Sequence, residues 1–285
     1  MIAKSQFFVF KRERRVYNMS NNSKQWTKVK LERYLKEGRG QGIGKDYKPW
    51  INTYEFSSKG RATRIYGIKT GRIHQLHSDN QYRAFLIFEF NPRVIDIRES
   101  YPLLDVLEVI DDQDDLRFDK FADKVTKEPY VLTTNFLITI KEIDGNEKYI
   151  ARTVKNSSEL RRKITFEKLE IERRYWQQKG IDWKVITEKQ LDRQLVKNIE
   201  WVRETLLEGD DGGLDKNQLS SILIKYLLDN STLSLRKVLN LYEKNECLPK
   251  GTGLFLFRYL IANREVKVDM TKPIKLSSKI EELLL

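Results

Sequence analysis

The chain has 285 residues, 40% of them hydrophobic and 33% charged, which supplies one large or two modest globular domains and argues against global disorder. Lysine and arginine outnumber aspartate and glutamate by 53 to 41, and the net charge of +12 favours a polyanionic partner, with nucleic acid the first candidate. The single cysteine, Cys247, excludes an intramolecular disulfide and a cysteine-based zinc module. No apolar stretch is long enough for a membrane span, so we expect a soluble, intracellular protein without a membrane partner.

The N-terminal part combines a basic extension with a helix and a glycine-rich run. The first eighteen residues are apolar and then strongly basic, and we expect no secretory signal because no small-residue cleavage site follows. A helical pattern starts at Trp26 and ends at the run 37–45. A GxGxxG nucleotide site needs a strand before it and a helix after it, so this run is predicted to be a basic loop that approaches phosphates.

The next elements predict a mixed α/β core. A hairpin is expected over residues 63–73, then a helix capped by Ser78, a short strand at 94–99 and a solvated acidic loop at 111–115. Two further strands, 134–141 and 148–154, flank an Asp-Gly-Asn turn that is typical of a hairpin. The region closes with a long charged helix, 158–179, and a strand, 183–186.

After Thr187 the composition changes to leucine-rich helical periodicity, and we place a domain boundary near Glu188. A loop is predicted at 209–213 and three helices at 214–228, 233–244 and 252–262, followed by an extended piece at 265–269. This pattern favours a winged-helix-like module. The predicted organisation is a basic N-terminal extension for which disorder is one option (1–28), an α/β domain (29–188) and a mainly α C-terminal domain (189–285).

Magnesium-dependent phosphodiester hydrolysis is the chemistry that best suits this frame. The two histidines, His74 and His77, lack a carboxylate cluster for zinc, and no base accompanies a serine or cysteine nucleophile. Restriction-enzyme-like nucleases take their groups from a helix acid, an acid on one hairpin strand, and an acid-x-Lys on the next. Here the frame is present, but Lys155 alone is of the expected type.

Several long motifs occur at residues 37–50, 64–72, 96–104 and 167–179, and they include EGRGQGIGKDYKPW and EKLEIERRYWQQK. These motifs resemble the TnsA family, the endonuclease subunits of heteromeric cut-and-paste transposases. The resemblance covers about residues 29–202. It implies a restriction-endonuclease-like N-terminal domain that cleaves the non-transferred (5′) strands at transposon ends in a bacterial cytoplasm. It also implies a winged-helix-like C-terminal domain and three partners: transposon-end DNA, a TnsB-like DDE transposase subunit and a TnsC-like AAA+ ATPase regulator.

The resemblance also places the family's site residues on this chain. The helix glutamate falls at Gln81, the strand aspartate at Asn135 and the lysine at Lys155, while Glu172 matches a further acid. Mg²⁺ would be held at Gln81, Asn135 and the carbonyl of Val154. Both metal-binding carboxylates are therefore amides, which lack the charge that holds Mg²⁺ and activates its water, and we expect hydrolysis to be almost abolished.

Two interpretations of these amides remain open. Changes that keep the shape of both acids and remove their charge, with Lys155 intact, favour an endonuclease that was inactivated deliberately. The alternative is a natural non-catalytic subunit that binds DNA and assembles the transposase complex. In either case we expect basic side chains of the glycine-rich loop and the first hairpin to neutralise DNA phosphates. The predicted DNA-binding residues are Arg39, Lys45, Arg61, Arg64, Lys69 and Arg72.

Overall fold

The computed structural model describes residues 25–55, 61–207 and 215–285. Most of the predicted N-terminal extension and the loop expected at 209–213 lie outside these ranges. The helices are α1 (Lys28–Lys36), α2 (Asp79–Phe90), α3 (Val106–Val109), α4 (Lys163–Gln178), α5 (Arg193–Arg203), α6 (Lys216–Asp229), α7 (Leu235–Asn245), α8 (Thr252–Ala262) and α9 (Ile280–Leu283). The strands are β1 (Thr63–Gly67), β2 (Arg72–Leu76), β3 (Val94–Pro102), β4 (Thr133–Lys141), β5 (Glu147–Val154) and β6 (Asp182–Ile186).

A four-stranded mixed sheet forms the centre of the N-terminal region, in the order β3-β4-β5-β6. Strands β3, β4 and β5 pair antiparallel, and β6 runs parallel to β5 after the crossover through α4. The hairpin turn between β4 and β5 has Gly145 at a φ of +89°, a backbone conformation that glycine adopts without strain. The separate hairpin of β1 and β2 is also confirmed.

Helices α2 and α4 cover the sheet from opposite sides. Successive residues of a strand point to opposite faces, so Phe136 packs with Phe85 of α2 while Leu137 packs with Trp176 of α4. Ser78 is the N-cap of helix α2, as predicted, because its hydroxyl accepts a hydrogen bond from the main-chain N–H of Gln81. The predicted mixed α/β core is therefore confirmed.

The glycine-rich run is a loop, as predicted. Its residue Gly40 has a φ of +76°, and a Cβ there would lie 2.3 Å from Cγ of Pro102 at the end of β3. Gly40 thus lets the loop lie directly against the central sheet.

The C-terminal region has its own core, to which α6, α7 and α8 contribute Leu227, Val238 and Phe257. Helix α5 joins the two regions, because Ile199 packs in the α2 core and Val202 in the C-terminal core. The three predicted helices are confirmed. The piece expected at 265–269 makes one isolated bridge, Val268 to Leu284, and no two-stranded sheet occurs in the described C-terminal residues. Among the described helices none is long and apolar enough to cross a membrane.

Candidate functional site

One polar cavity of about 570 Å³ lies where α2 and β4 begin and β5 ends. The structure brings four of the predicted site residues together there, since Gln81, Asn135, Val154 and Lys155 all line it. They are up to 74 positions apart in sequence, and the fold alone makes them neighbours.

Gln81 lies in the first turn of α2. Its Oε1 accepts a hydrogen bond of 2.8 Å from the main-chain N–H of His77, while its own N–H donates to Ser78. These reciprocal bonds satisfy N–H groups that a helix start leaves without partners. The carbonyl end of the Gln81 amide is therefore already used by the protein.

Asn135 lies near the start of β4 and lines the cavity from the side of the sheet. The regular pairing of β4 with β5 ends at Phe136 and Arg152, and Asn135 Oδ1 takes over by accepting the N–H of Val154 at 2.7 Å. The Asn135 side chain thus joins the two strands where their ladder stops. Its amide oxygen, like that of Gln81, is committed to a main-chain donor.

Lys155 directly follows β5, and its N–H continues the pairing with β6 by donating to the carbonyl of Ile186 at 3.0 Å. Burial and then the neighbouring Lys168 lower the pKa of the Lys155 ammonium, whereas Glu172 and Glu159 oppose the shift. Within the described residues the ammonium has no hydrogen-bond or ion-pair partner, so it is available to a ligand in the cavity.

Glu172 was predicted to be a catalytic residue, but it does not line the cavity. The side chain is fully buried, where its Oε2 accepts the hydroxyls of Thr134, at 3.1 Å, and Thr153. Lys168 Nζ lies 3.6 Å from the other oxygen. Glu172 therefore fixes the neighbours of Asn135 and Val154 and does not itself reach a substrate.

The residues present do not fit Mg²⁺. Of the described residues that line the cavity, Glu159 alone carries a carboxylate, and its Oε2 accepts the N–H of Asn156 at 2.9 Å. The oxygens of Gln81 and Asn135 are neutral and already bound to N–H groups. Nowhere in the described ranges do three or more His, Cys, Asp or Glu side chains form a group that could hold a metal. Mg²⁺ prefers several charged or water oxygens, so this cavity lacks the ligands it needs.

Arg39, predicted to bind DNA, is instead buried, with 7% of its surface exposed. Its guanidinium donates to Glu55 at 2.7 and 2.8 Å, to Glu37 at 2.7 Å and to the carbonyl of Trp50. These bonds hold the guanidinium inside the loop, so the prediction of a phosphate contact is wrong.

Arg72, also predicted to bind DNA, is buried as well, and that prediction is wrong. It is 9% exposed and forms a two-bond ion pair with Glu99, which also contacts His74 Nδ1 at 2.8 Å. Burial alone would raise the pKa of Glu99, but His74 and Arg72 lower it to about 2. This charge cluster ties β2 to β3 and is not free for a ligand.

The other four predicted DNA-binding residues divide into two groups. Lys69 donates to the carbonyls of Asn91 and Val94, and burial followed by the charge of Arg264 lowers its pKa to about 8. The side chains of three residues remain exposed and are available to DNA: Lys45, Arg61 and Arg64.

Among the other residues that line the cavity, sequence reasoning did not select His77 and Arg162. His77 Nε2 is buried without a hydrogen-bond partner, and burial lowers the pKa of the ring. Arg162 is exposed at the N-cap position of α4. Their positions in the sequence were the available signal, because His77 directly precedes the N-cap of α2 and Arg162 directly precedes the first residue of α4.

Comparisons with known proteins identify the family of this chain. Residues 91–188 match the TnsA-like endonuclease N-terminal family, and residues 190–270 match the TnsA endonuclease C-terminal family. The chain is 36% identical over 265 residues to the transposon Tn7 transposition protein TnsA of Escherichia coli, with 89% of this chain and 90% of that protein covered. The chain therefore belongs to the TnsA family of transposon endonucleases.

Proposed function

We propose that this chain is the TnsA-type subunit of a DNA transposition complex and that its own strand-cleaving site is inactive. The observation that carries this proposal is the shared cavity of Gln81, Asn135, Val154 and Lys155. It has the frame of a restriction-endonuclease-like site, with amides at the two positions where the family has carboxylates.

The proposed place of action is the transposon end. A family member with carboxylates at these positions would cleave the non-transferred (5′) strand, using Mg²⁺ to supply an activated water. We propose a DDE transposase subunit and an AAA+ ATPase regulator as protein partners. The C-terminal helices are proposed to form a winged-helix-like module that contacts DNA and the regulator, although its described part has no strand pair.

The proposed loss of activity follows from the missing negative charge at positions 81 and 135. Without carboxylates, little in the cavity attracts a divalent cation or lowers the pKa of a bound water. Lys155 retains its place and is proposed to steady the phosphate once acids are restored. The DNA-binding role survives this loss, because it depends on exposed cations such as Lys45, Arg61 and Arg64.

A second candidate, the natural assembly subunit, is favoured by one detail. Each amide oxygen makes a hydrogen bond to a main-chain N–H, at 2.8 Å for Gln81 and 2.7 Å for Asn135, so both amides contribute to the local structure. A chain that keeps only its scaffold role could retain such a site.

Restoring the two acids tests the proposal. The chain and its Q81E/N135D variant are each combined with the partner transposase, the regulator, transposon-end DNA and Mg²⁺, and 5′-strand cleavage is read on a denaturing gel. We expect cleavage by the Q81E/N135D variant alone. A matched control is Q177E/Q178E, which makes the same charge change at exposed positions near the end of α4 and should not cleave.

Two outcomes would redirect the proposal. Equal cleavage by the unsubstituted chain would contradict the assignment of an inactive site. Failure of Q81E/N135D to cleave, with DNA and partner binding intact, would favour the assembly subunit and contradict the assignment of Gln81 and Asn135 as the altered acids.

A further inference from the structure

The orientation of two side-chain amides determines which kind of ligand the cavity can attract. An amide has one acceptor end and one donor end. Gln81 Oε1 faces the N–H of His77, and Asn135 Oδ1 faces the N–H of Val154. Reversing either amide would press an NH₂ group against a main-chain N–H, so the hydrogen bonds fix both orientations.

The NH₂ groups of the two side-chain amides are consequently without a described partner. Neither Nε2 of Gln81 nor Nδ2 of Asn135 has a hydrogen-bond partner in the part of the chain that the structure describes, and neither is a buried unsatisfied atom. A carboxylate at either position would present a second acceptor oxygen. The amides therefore replace acceptors of a metal site by N–H donors.

The charged side chains of the cavity, like the amide donors, favour an anionic ligand. Lys155 and Arg162 both line it, and neither side chain forms an ion pair with a described residue. Glu159 is the one opposing carboxylate among the described lining residues, and one of its oxygens is held by the N–H of Asn156. Two cations and two amide donors face one acid.

The main chain adds to this preference. Ser78 and Arg162 are the N-cap residues of α2 and α4, and both line the cavity. The N-terminal end of a helix carries partial positive charge and favours anions. Two such ends, from helices of 12 and 16 residues, lie at this one site.

From these observations we propose that the cavity binds a phosphate group directly, without a divalent cation, and that a backbone phosphate of the bound DNA occupies it. The amides and Lys155 would donate hydrogen bonds to the phosphate oxygens, with Arg162 neutralising charge at the rim. The amide positions thus hold the DNA strand that a metal would otherwise hold. This inference rests on the proposed function, which supplies the DNA.

The first arm of the test observes the amides themselves. Inorganic phosphate is titrated into the full ¹⁵N-labelled chain in EDTA, and the side-chain NH₂ signals of Gln81 and Asn135 are followed by NMR, with Q81E and N135D used for assignment. We expect both signals to shift saturably with phosphate, and not with Mg²⁺ in a separate titration without EDTA. Unmoved signals would overturn the proposal.

The second arm distinguishes DNA from free phosphate. Binding of a labelled transposon-end duplex in EDTA is measured by anisotropy for the chain, Q81E/N135D and the control Q177E/Q178E. Two carboxylates would repel a phosphate, so we expect Q81E/N135D to bind at least about tenfold more weakly than the control. Mg²⁺ should restore its affinity, which also verifies that the variant is folded, and should leave the unsubstituted chain unchanged.

Equal DNA affinity of Q81E/N135D and the control in EDTA would overturn the DNA assignment; with NMR shifts present, it would assign the site to free phosphate. The cleavage assay with Mg²⁺ is scored separately. Cleavage by Q81E/N135D without any loss of DNA affinity in EDTA would therefore contradict binding of a DNA phosphate in the cavity and leave the proposed function standing.

Discussion

The cavity around Gln81 and Asn135 and the buried cluster around Glu99 both concentrate polar groups against the central sheet, yet they differ in how charge is balanced. In the Glu99 cluster the carboxylate is matched by Arg72 and His74, and these groups satisfy one another. In the cavity, the donors and the ammonium of Lys155 lack protein partners among the described residues. The balanced charges hold the fold together, whereas we propose that the unbalanced ones mark where a ligand binds.

The largest expected effect comes from unbalancing the Glu99 cluster. Glu99→Ala leaves Arg72 buried without its partner and should lower the free energy of unfolding by about 3–5 kcal/mol. Denaturant unfolding followed by circular dichroism measures this loss. Glu147→Ala, at an exposed position, is the matched control and should change stability by less than about 0.5 kcal/mol. Equal losses in both variants would contradict the structural role of the cluster.

Acid should weaken the same cluster. Since the pKa of Glu99 is lowered from 4.5 to about 2, its contribution is complete above pH 4.5 and is lost as the pH falls toward 2. We expect roughly 3 kcal/mol of stability to depend on this group. Unfolding curves between pH 6 and about 3 should therefore be steeper in pH for the chain than for Glu99→Gln. Identical pH profiles would contradict the assignment.

In the cavity the comparison predicts an effect on activity, with little effect on stability. Lys155→Ala in the Q81E/N135D background should lower 5′-strand cleavage about 100-fold, because a positioned cation stabilises developing charge on the phosphate. Single-turnover cleavage measures the change. Lys189→Ala, at an exposed position outside the cavity, should cleave as fast as its parent. Unchanged cleavage after loss of Lys155 would remove this residue from the site.

The smallest expected effect concerns the exposed arginines of the first hairpin. Arg64→Ala should weaken DNA binding a few-fold and reduce the slope of log affinity against log salt by about 1, without changing stability. Anisotropy at several salt concentrations gives this slope, with Lys148→Ala, at an exposed position beside the β4-β5 turn, as the control. An unchanged slope for Arg64→Ala would place the DNA elsewhere.

Local signals in the sequence were sufficient for the elements that frame the site. Ser78 is a strong N-cap, and the Asp-Gly-Asn turn strongly favours a hairpin, so the starts of α2 and the β4-β5 pair were predictable. The resemblance supplied Gln81, Asn135 and Lys155, and the fold then brings these residues to one cavity.

Long-range charge pairing was not predictable in this way. Arg72 and Glu99 are 27 positions apart, and no periodicity reveals that they will meet in the interior. Glu172 lies in a helix so rich in charge that its pattern indicates an exposed face, although the structure buries this one acid against Thr134 and Thr153. Whether a charged residue serves stability or binding depended on its partner in space.

We propose that the two amides, Gln81 and Asn135, make this cavity unable to hold Mg²⁺. Isothermal titration of Mg²⁺ into the chain and into its Q81E/N135D variant tests this claim directly. We predict a saturable binding heat for Q81E/N135D and none for the unsubstituted chain. Binding of Mg²⁺ by both with similar affinity would contradict the claim, because the ion would then be held without carboxylates at positions 81 and 135.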